Sequence, residues 1–256
     1  MCGRFALTAE KRVMAEFLAL LLEENAPARY NIAPTQPILV VIAGESREPG
    51  SNVPQRRALL ARWGFIPGWV KDPRDFPLLI NARAETAAEK ASFRAAMRHR
   101  RILLPASGFY EWHRPSKESG EKAQAYWIRP RNQEVVAFAG LMETWSSADG
   151  SEGDTAAILT TSANAVMAPI HERMPVVIRQ EDFSRWLDCK TQEPRDVADL
   201  LRPVEDDFFE AVPVSDLVNK VANMGPDVQA PSGPPMSKPA APKLKPPSDD
   251  AQLTLF

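Results

Sequence analysis

The chemistry legible in this 256-residue chain begins at its second residue. Cys2 follows the initiator methionine in Met-Cys-Gly-Arg-Phe, and its side chain is small enough for aminopeptidase removal of Met1 to be expected. The product carries a free α-amine and a thiol on adjacent carbons, a 1,2-aminothiol. An α-amine titrates near about pH 8 and a thiol near about 8.5, so a useful fraction of the amine is unprotonated at neutral pH. Aldehydes are the natural target: the amine condenses to a Schiff base and the thiolate closes a five-membered thiazolidine. An internal cysteine cannot do this, because its nitrogen is an amide. Taken alone, a cysteine in second position reads most simply as an incidental buried residue, so its neighbours have to decide.

Polar residues interrupt apolar or turn-like surroundings at four further points: Asn31 in RYNIAPTQ, Asn81 in INARAET, Glu111 in GFYEW and His171 in PIHERMPV. Each has a plain structural reading. Asn81 suits a turn or a cap, Glu111 beside Trp112 suits a solvent-facing strand, and His171 suits a hydrogen-bonded core histidine. Only the set carries weight. The second cysteine, Cys189, reads as a structural or incidental thiol. Two cysteines far apart offer neither zinc-ligand spacing nor a disulfide framework, which fits a reducing cytoplasm. No metal site and no cofactor are expected.

The elements that must position these residues are mostly short strands. Val13, Met14, Phe17, Leu18, Leu21 and Leu22 recur at helical spacing after Thr8, a suitable N-cap, which predicts an amphipathic helix over residues 9–24. β-type runs follow at Ile38–Ile42, Ala58–Trp63, Ile102–Pro105, Phe109–Trp112, Tyr126–Ile128, Val135–Phe138, Ala156–Thr160 and Val176–Ile178, divided by Gly, Pro and Asn. Helices are expected over Glu85–Met97, Glu181–Leu187 and Arg195–Leu201, the first running into Arg98-His99-Arg100-Arg101, read as a solvated helix end. Strands that do not alternate regularly with helices argue for an α+β fold with a mainly antiparallel sheet.

Composition narrows the partners. Lys plus Arg total 31 against 33 Asp plus Glu, a formal net charge of -2, so any nucleic-acid site must be a local patch rather than a uniform cationic field. No stretch approaches the roughly 18 apolar residues of a membrane span, and the N-terminus lacks the regions of a signal peptide. All six Trp lie before residue 226. From Pro226 the chain reads PDVQAPSGPPMSKPAAPKLKPPSDD, with almost nothing to bury. We therefore divide the chain into one domain over 1–225, a Pro-rich extended linker over 226–251, and a terminal segment over 252–256.

Taken in order, Met-Cys-Gly-Arg-Phe, RYNIAP, WGFIPGW, INARAET, GFYEW, HERMPV and VNKVANMGPDV resemble the motifs of the SOS response-associated peptidase family, over residues 2–228. The resemblance implies a strand-rich, barrel-like α+β core with peripheral helices and a disordered tail. It implies a function as well: shielding abasic sites in single-stranded DNA through a covalent thiazolidine crosslink between Cys2 and the ring-opened sugar aldehyde. On this basis Cys2 is the nucleophile, Asn81 positions the sugar by hydrogen bonding, and Glu111 and His171 form an acid-base pair. Schiff-base formation expels water, and ring closure or reversal moves protons between nitrogen, sulfur and O4′, for which a carboxylate and an imidazole are suited. Arg4, Asn31, Arg83 and Arg173 resemble phosphate and sugar contacts, Thr160 a further backbone contact, and Trp63 and Trp69 the aromatic part of the DNA channel. Val70 follows Trp69 where some bacterial relatives carry a second aromatic, which implies weaker stacking there.

The end of the chain, Gln252-Leu253-Thr254-Leu255-Phe256, exposes apolar residues on a polar appendage. Gln252, Leu253, Leu255 and Phe256 resemble the short motif by which bacterial polymerases and repair proteins dock on the replication sliding clamp, and the linker would tether the domain near replicating DNA. The alternative is a tail folded back on the domain. Three functions compete: an abasic-site crosslinking protein, a thiol (auto)peptidase using Cys2 whose first substrate is Met1, and a non-catalytic adaptor between sliding clamp and single-stranded DNA. The first predicts a denaturation-resistant adduct, the second cleavage of a peptide in trans, and the third no effect of Cys2→Ala. A cytoplasmic, nucleoid-associated monomer is expected.

Overall fold

A computed structural model describes residues 2–20, 22, 27–44, 56–116, 118, 120 and 122–236. Thirteen strands and four short α-helices follow in the order β1 (Phe5–Leu7), α1 (Lys11–Leu18), β2 (Arg29–Ile32), β3 (Pro37–Ala43), β4 (Arg56–Trp63), β5 (Asn81–Arg83), α2 (Ala84–Ala87), α3 (Arg94–His99), β6 (Arg101–Ala106), β7 (Gly108–His113), β8 (Gln124–Pro130), β9 (Val136–Ser146), β10 (Glu152–Ser162), β11 (Arg173–Pro175), β12 (Val177–Ile178), α4 (Phe183–Leu187) and β13 (Phe209–Val214). Short 3-10 turns punctuate the rest.

Five strands close into a barrel in the order β10-β4-β3-β6-β9, with β9 pairing back to β10 and only the β10–β4 contact parallel. β5 and β11 attach to β10, and β12 to β9. A second, five-stranded sheet runs β13-β8-β7-β1-β2. Its close packing requires Gly108 at the start of β7, where a Cβ would lie 2.3 Å from the Ile128 carbonyl.

Alternation along the barrel strands feeds two apolar clusters. On one face Ile38, Val40, Ile102, Leu104, Phe138 and Ile158 meet Phe5, Ile32 and Phe109 of the second sheet, and Cys2 is buried among them. On the other face Val41, Leu103, Ala139 and Leu159 meet Met97 of α3 and Trp186 of α4. Cys2 thus lies at the seam between the barrel and the second sheet.

The expected strands are present, with β9 and β10 running longer than their apolar runs. Several helical expectations change. α1 starts at Lys11 with Glu10 as N-cap rather than Thr8, and ends where Ala19 adopts a left-handed φ of 46°. The helix expected over Glu85–Met97 is two helices, α2 and α3, separated by a turn. The Arg195–Leu201 helix is a 3-10 helix over Pro194–Leu200. Arg101, read as part of a solvated helix end, is 2% exposed and donates to the carbonyls of Met97, Trp186, Asp188 and Gln192. A planar guanidinium can satisfy that many carbonyls at once, which is how the charge is accommodated inside.

Residues 226–236, assigned by composition to the linker, pack on the domain: Pro226–Gln229 form a 3-10 turn, Val228 is 1% exposed, and Met236 N–H donates to the Ala211 carbonyl. The remaining linker and the segment 252–256 lie outside the described residues. No described helix is long and apolar enough to cross a membrane.

Candidate functional site

The N-terminal segment is held in place by strand pairing. Phe5 of β1 lies opposite both Ile32 of β2 and Phe109 of β7, and Tyr110 N–H donates to the Arg4 carbonyl at 2.8 Å. This places Cys2 beside the strand that carries Glu111. Cys2 is 1% exposed, and its sulfur lies 3.9 Å from the Arg4 carbonyl. Burial pushes the thiol far above the ordinary range, and the negative field of Glu111 pushes it further the same way.

Asn81 closes the site from the barrel side. Its Nδ2 donates to the Cys2 carbonyl at 2.9 Å, while its Oδ1 is buried with no hydrogen-bond partner among the described residues. A buried amide oxygen left in that condition is uncommon in proteins and marks a place where a donor from outside the chain would be accepted. Trp63 supports this arrangement from behind. Its Nε1 donates to the Ile80 carbonyl at 3.0 Å, and its ring meets Phe5 edge to face at 5.1 Å, so one indole ties the Cys2 strand to the Asn81 strand.

His171 is held on a neighbouring loop. Its Nδ1 accepts from the Arg173 backbone N–H at 2.9 Å, which leaves the ring proton of the neutral imidazole on Nε2. Two residues upstream, the Pro169 carbonyl accepts a 2.8 Å bond from His113 Nδ1. His113 lies on β7 two positions from Glu111 and therefore on the same face. The strand that bears the carboxylate thus also anchors the loop that bears the imidazole. Sequence reasoning passed over His113, although the spacing from Glu111 was a usable signal.

The expected DNA contacts divide into two groups. Arg83 and Trp69 face solvent: Arg83 is exposed at the end of β5, and Trp69 is 61% exposed and packs edge to face on Phe76 at 5.5 Å. Val70 is buried, and its carbonyl accepts from Trp145 Nε1. Trp63, by contrast, is wholly buried and presents no face for a base. Thr160 is also buried, with its hydroxyl on the Ala82 carbonyl and its own carbonyl on Arg173. Asn31 is 4% exposed and saturated: Nδ2 donates to the carbonyls of Val218, Lys220 and Asn223, and Oδ1 accepts from Arg4 Nη1 at 2.7 Å. Arg4 also donates to Val218, its Nε is buried with no acceptor among the described residues, and burial lowers its pKa. Arg173 is paired with Glu85, a residue that sequence reasoning did not select.

The arrangement brings an N-terminal thiol, an amide and a carboxylate together, with an imidazole on a loop anchored to the same strand. Among the described residues there is no cluster of three or more His, Cys, Asp or Glu that could hold a metal ion.

The family described as SOS response associated peptidase matches residues 1–221. The chain is 38% identical over 231 residues to the abasic site processing protein YoqW of Bacillus subtilis, covering 89% of this chain and 98% of that one. It is 30% identical over 242 residues to the abasic site processing protein YedK of Escherichia coli, covering 90% and 100%. A crystal structure of a Bacteroides thetaiotaomicron protein superposes with a TM-score of 0.77 at 22% identity, covering 90% of this chain and all of the other, and shows the shared fold. With a match that spans most of its length, the chain belongs to the SOS response-associated peptidase family.

Proposed function

We propose that this protein processes abasic sites in single-stranded DNA by capturing the ring-opened sugar aldehyde on the α-amine and thiol of Cys2 after loss of Met1. The observation that carries the reading is the convergence of Asn81 and Glu111, from two different sheets, on a cysteine at the N-terminus. The similarity to proteins named for abasic site processing points the same way.

The reaction balances without a cofactor. The amine adds to the aldehyde and one water leaves, giving a Schiff base. The thiol then adds across the carbon-nitrogen double bond, its proton passing to nitrogen, and a thiazolidine results. Asn81 holds the Cys2 carbonyl, and so the backbone bearing both reacting groups, while its Oδ1 is available to a sugar hydroxyl. In this reading Glu111, whose field acts on the thiol, takes the thiol proton, and the Nε2 proton of His171 serves the sugar oxygen that is released on ring opening. Arg83 and Trp69 supply a phosphate contact and a stacking face at the surface. A peptidase role is less well served, because a thiol whose pKa is raised by burial and by a carboxylate is the reverse of an activated cysteine nucleophile.

The test is intact-mass measurement after incubation with an abasic oligodeoxynucleotide. The expected product is one oligonucleotide per chain, lacking Met1 and one water. Equal capture by Cys2→Ala would overturn the reading, as would an adduct on a chain that retains Met1.

A further inference from the structure

Arg173 belongs to the HERMP motif and was expected to meet phosphate, yet its fork is occupied. Nη1 and Nη2 each donate to one oxygen of Glu85 at 2.7 Å, a bidentate pair. Nη2 also donates to the Thr160 carbonyl, and Nε is buried with no acceptor among the described residues. The side chain of Arg173 is 12% exposed, whereas that of Glu85 is 48% exposed. Hydrogen bonds from Arg173 hold the Glu85 carboxyl below its usual range despite partial burial, and the charges of Arg173 and Arg83 act in the same direction.

A carboxylate and a phosphate grip a guanidinium through the same two parallel N–H groups. The two anions cannot hold this fork together. Arg173 is fixed by Thr160 and by its burial, so Glu85, the more exposed partner, is the one free to swing into water. Position supports the exchange. Glu85 follows β5, which carries Asn81 and ends at the exposed Arg83, and Arg173 opens β11; both strands flank β10. A strand of DNA drawn to Arg83 therefore passes close to the Glu85–Arg173 pair.

We propose that Glu85 is a built-in competitor for phosphate at Arg173, exchanged for a backbone phosphate when single-stranded DNA enters the site. The proposal rests on the DNA-binding reading above and deepens it, naming a residue that sets how strongly the strand is held. A lone phosphate has only the contested fork, while a strand already engaged at Arg83 presents its next phosphate at high local concentration. The Arg173 backbone N–H that fixes the His171 tautomer takes no part in the exchange, so the imidazole keeps its orientation with either anion in place.

The test is fluorescence anisotropy with a labelled oligodeoxythymidylate that contains no abasic site. Glu85→Gln and Glu85→Ala should each tighten binding by about 1.4- to 5-fold near 0.1 M salt, the range set by a partly exposed ion pair. In an Arg173→Ala background the same substitutions should lose most of that gain, because the fork they release is gone. Should both fold poorly, Glu85→Asp, too short by one methylene to fill the fork, is expected to give a smaller gain. No gain in the wild-type background overturns the proposal, and so does a full gain that persists without Arg173, which would reflect simple relief of charge repulsion. If the wild-type protein fails to bind the oligonucleotide at all, the DNA-binding reading itself falls.

Discussion

Replacement of Asn31 by alanine separates a residue that touches DNA from one that holds the site together. Asn31 is buried, and the substitution removes bonds of 2.9, 3.1 and 3.3 Å to the carbonyls of Asn223, Lys220 and Val218, together with the 2.7 Å acceptor of Arg4. The 3.3 Å bond is weak, and the loop it joins is partly exposed, so water can replace some of what is lost. Counting about 1 kcal/mol for each good neutral bond and somewhat more for the charge-assisted one, the cost is about 2–4 kcal/mol. For a domain of this size that is a fall in melting temperature of roughly 5–15 °C. Trypsin cleavage after the exposed Lys220 should accelerate, because Asn31 no longer pins the segment. Asn31→Asp is the informative partner. It keeps an acceptor for Arg4 but turns a carboxylate oxygen toward three carbonyls, so it too should loosen the loop. The measurements are thermal unfolding by circular dichroism and timed proteolysis. A melting temperature unchanged by both substitutions, with weaker DNA binding alone, would refute the positioning role and restore Asn31 as a contact.

Alkaline stability reports on the buried thiol: the native state keeps a Cys2 proton that the unfolded chain releases above about pH 8.5, so stability is full below that pH and declines above it. Denaturant titrations between about pH 7 and 10 should show a shallower decline in Cys2→Ala, and an identical slope would mean that the thiol is not desolvated. The two tryptophans of the WGFIPGW motif should also part company. Trp63→Ala should cost about 3–5 kcal/mol of stability as a core truncation, whereas Trp69→Ala should leave unfolding nearly unchanged and weaken single-stranded DNA binding by about 1–3 kcal/mol; the reverse pattern would contradict the burial of one ring and the exposure of the other.

The parts of the fold that were legible in the sequence are those with long apolar runs. Ile38–Ile42 and Ala156–Thr160 announce themselves as strands because β-branched or aliphatic residues fill every position, the second run buried on both faces and the first with Leu39 and Ile42 half-buried. The strands that were missed are β1, β2, β5, β11 and β13. Four of them span only three or four residues, and β2, β5 and β11 contain Asn31, Asn81 and Arg173, polar residues that break the alternation on which strand assignment depends. The site's own chemistry thus hid the elements that position it. Cys2, Asn81, Glu111 and His171 were still selected, because together they fall in motifs that resemble one family in order, although singly each has a plain structural reading. What pattern alone could not supply was the partner of each side chain. Trp63 and Trp69 sit six residues apart in one motif, and only the packing of Phe5 against the first decides which is core. Likewise the run Arg98–Arg101 gives no sign that its last member turns inward to four carbonyls.

A neutral, desolvated thiol beside a carboxylate fixes the order of events in the proposed capture. Were sulfur to attack first, it would have to ionise in a place where burial and Glu111 both oppose a second negative charge. The α-amine meets no such opposition, since a Schiff base at nitrogen becomes a cation when protonated, and Glu111 stabilises a cation nearby. That same cation, two bonds from the sulfur-bearing carbon, offsets the field that kept the thiol protonated. The thiol proton can then pass to Glu111 and the ring can close. In the proposed capture, burial and the field of Glu111 therefore favour sulfur attack only after the aldehyde has condensed with the amine. Asn81, by gripping the Cys2 carbonyl throughout, keeps amine and sulfur on one fixed backbone while the charges change around them.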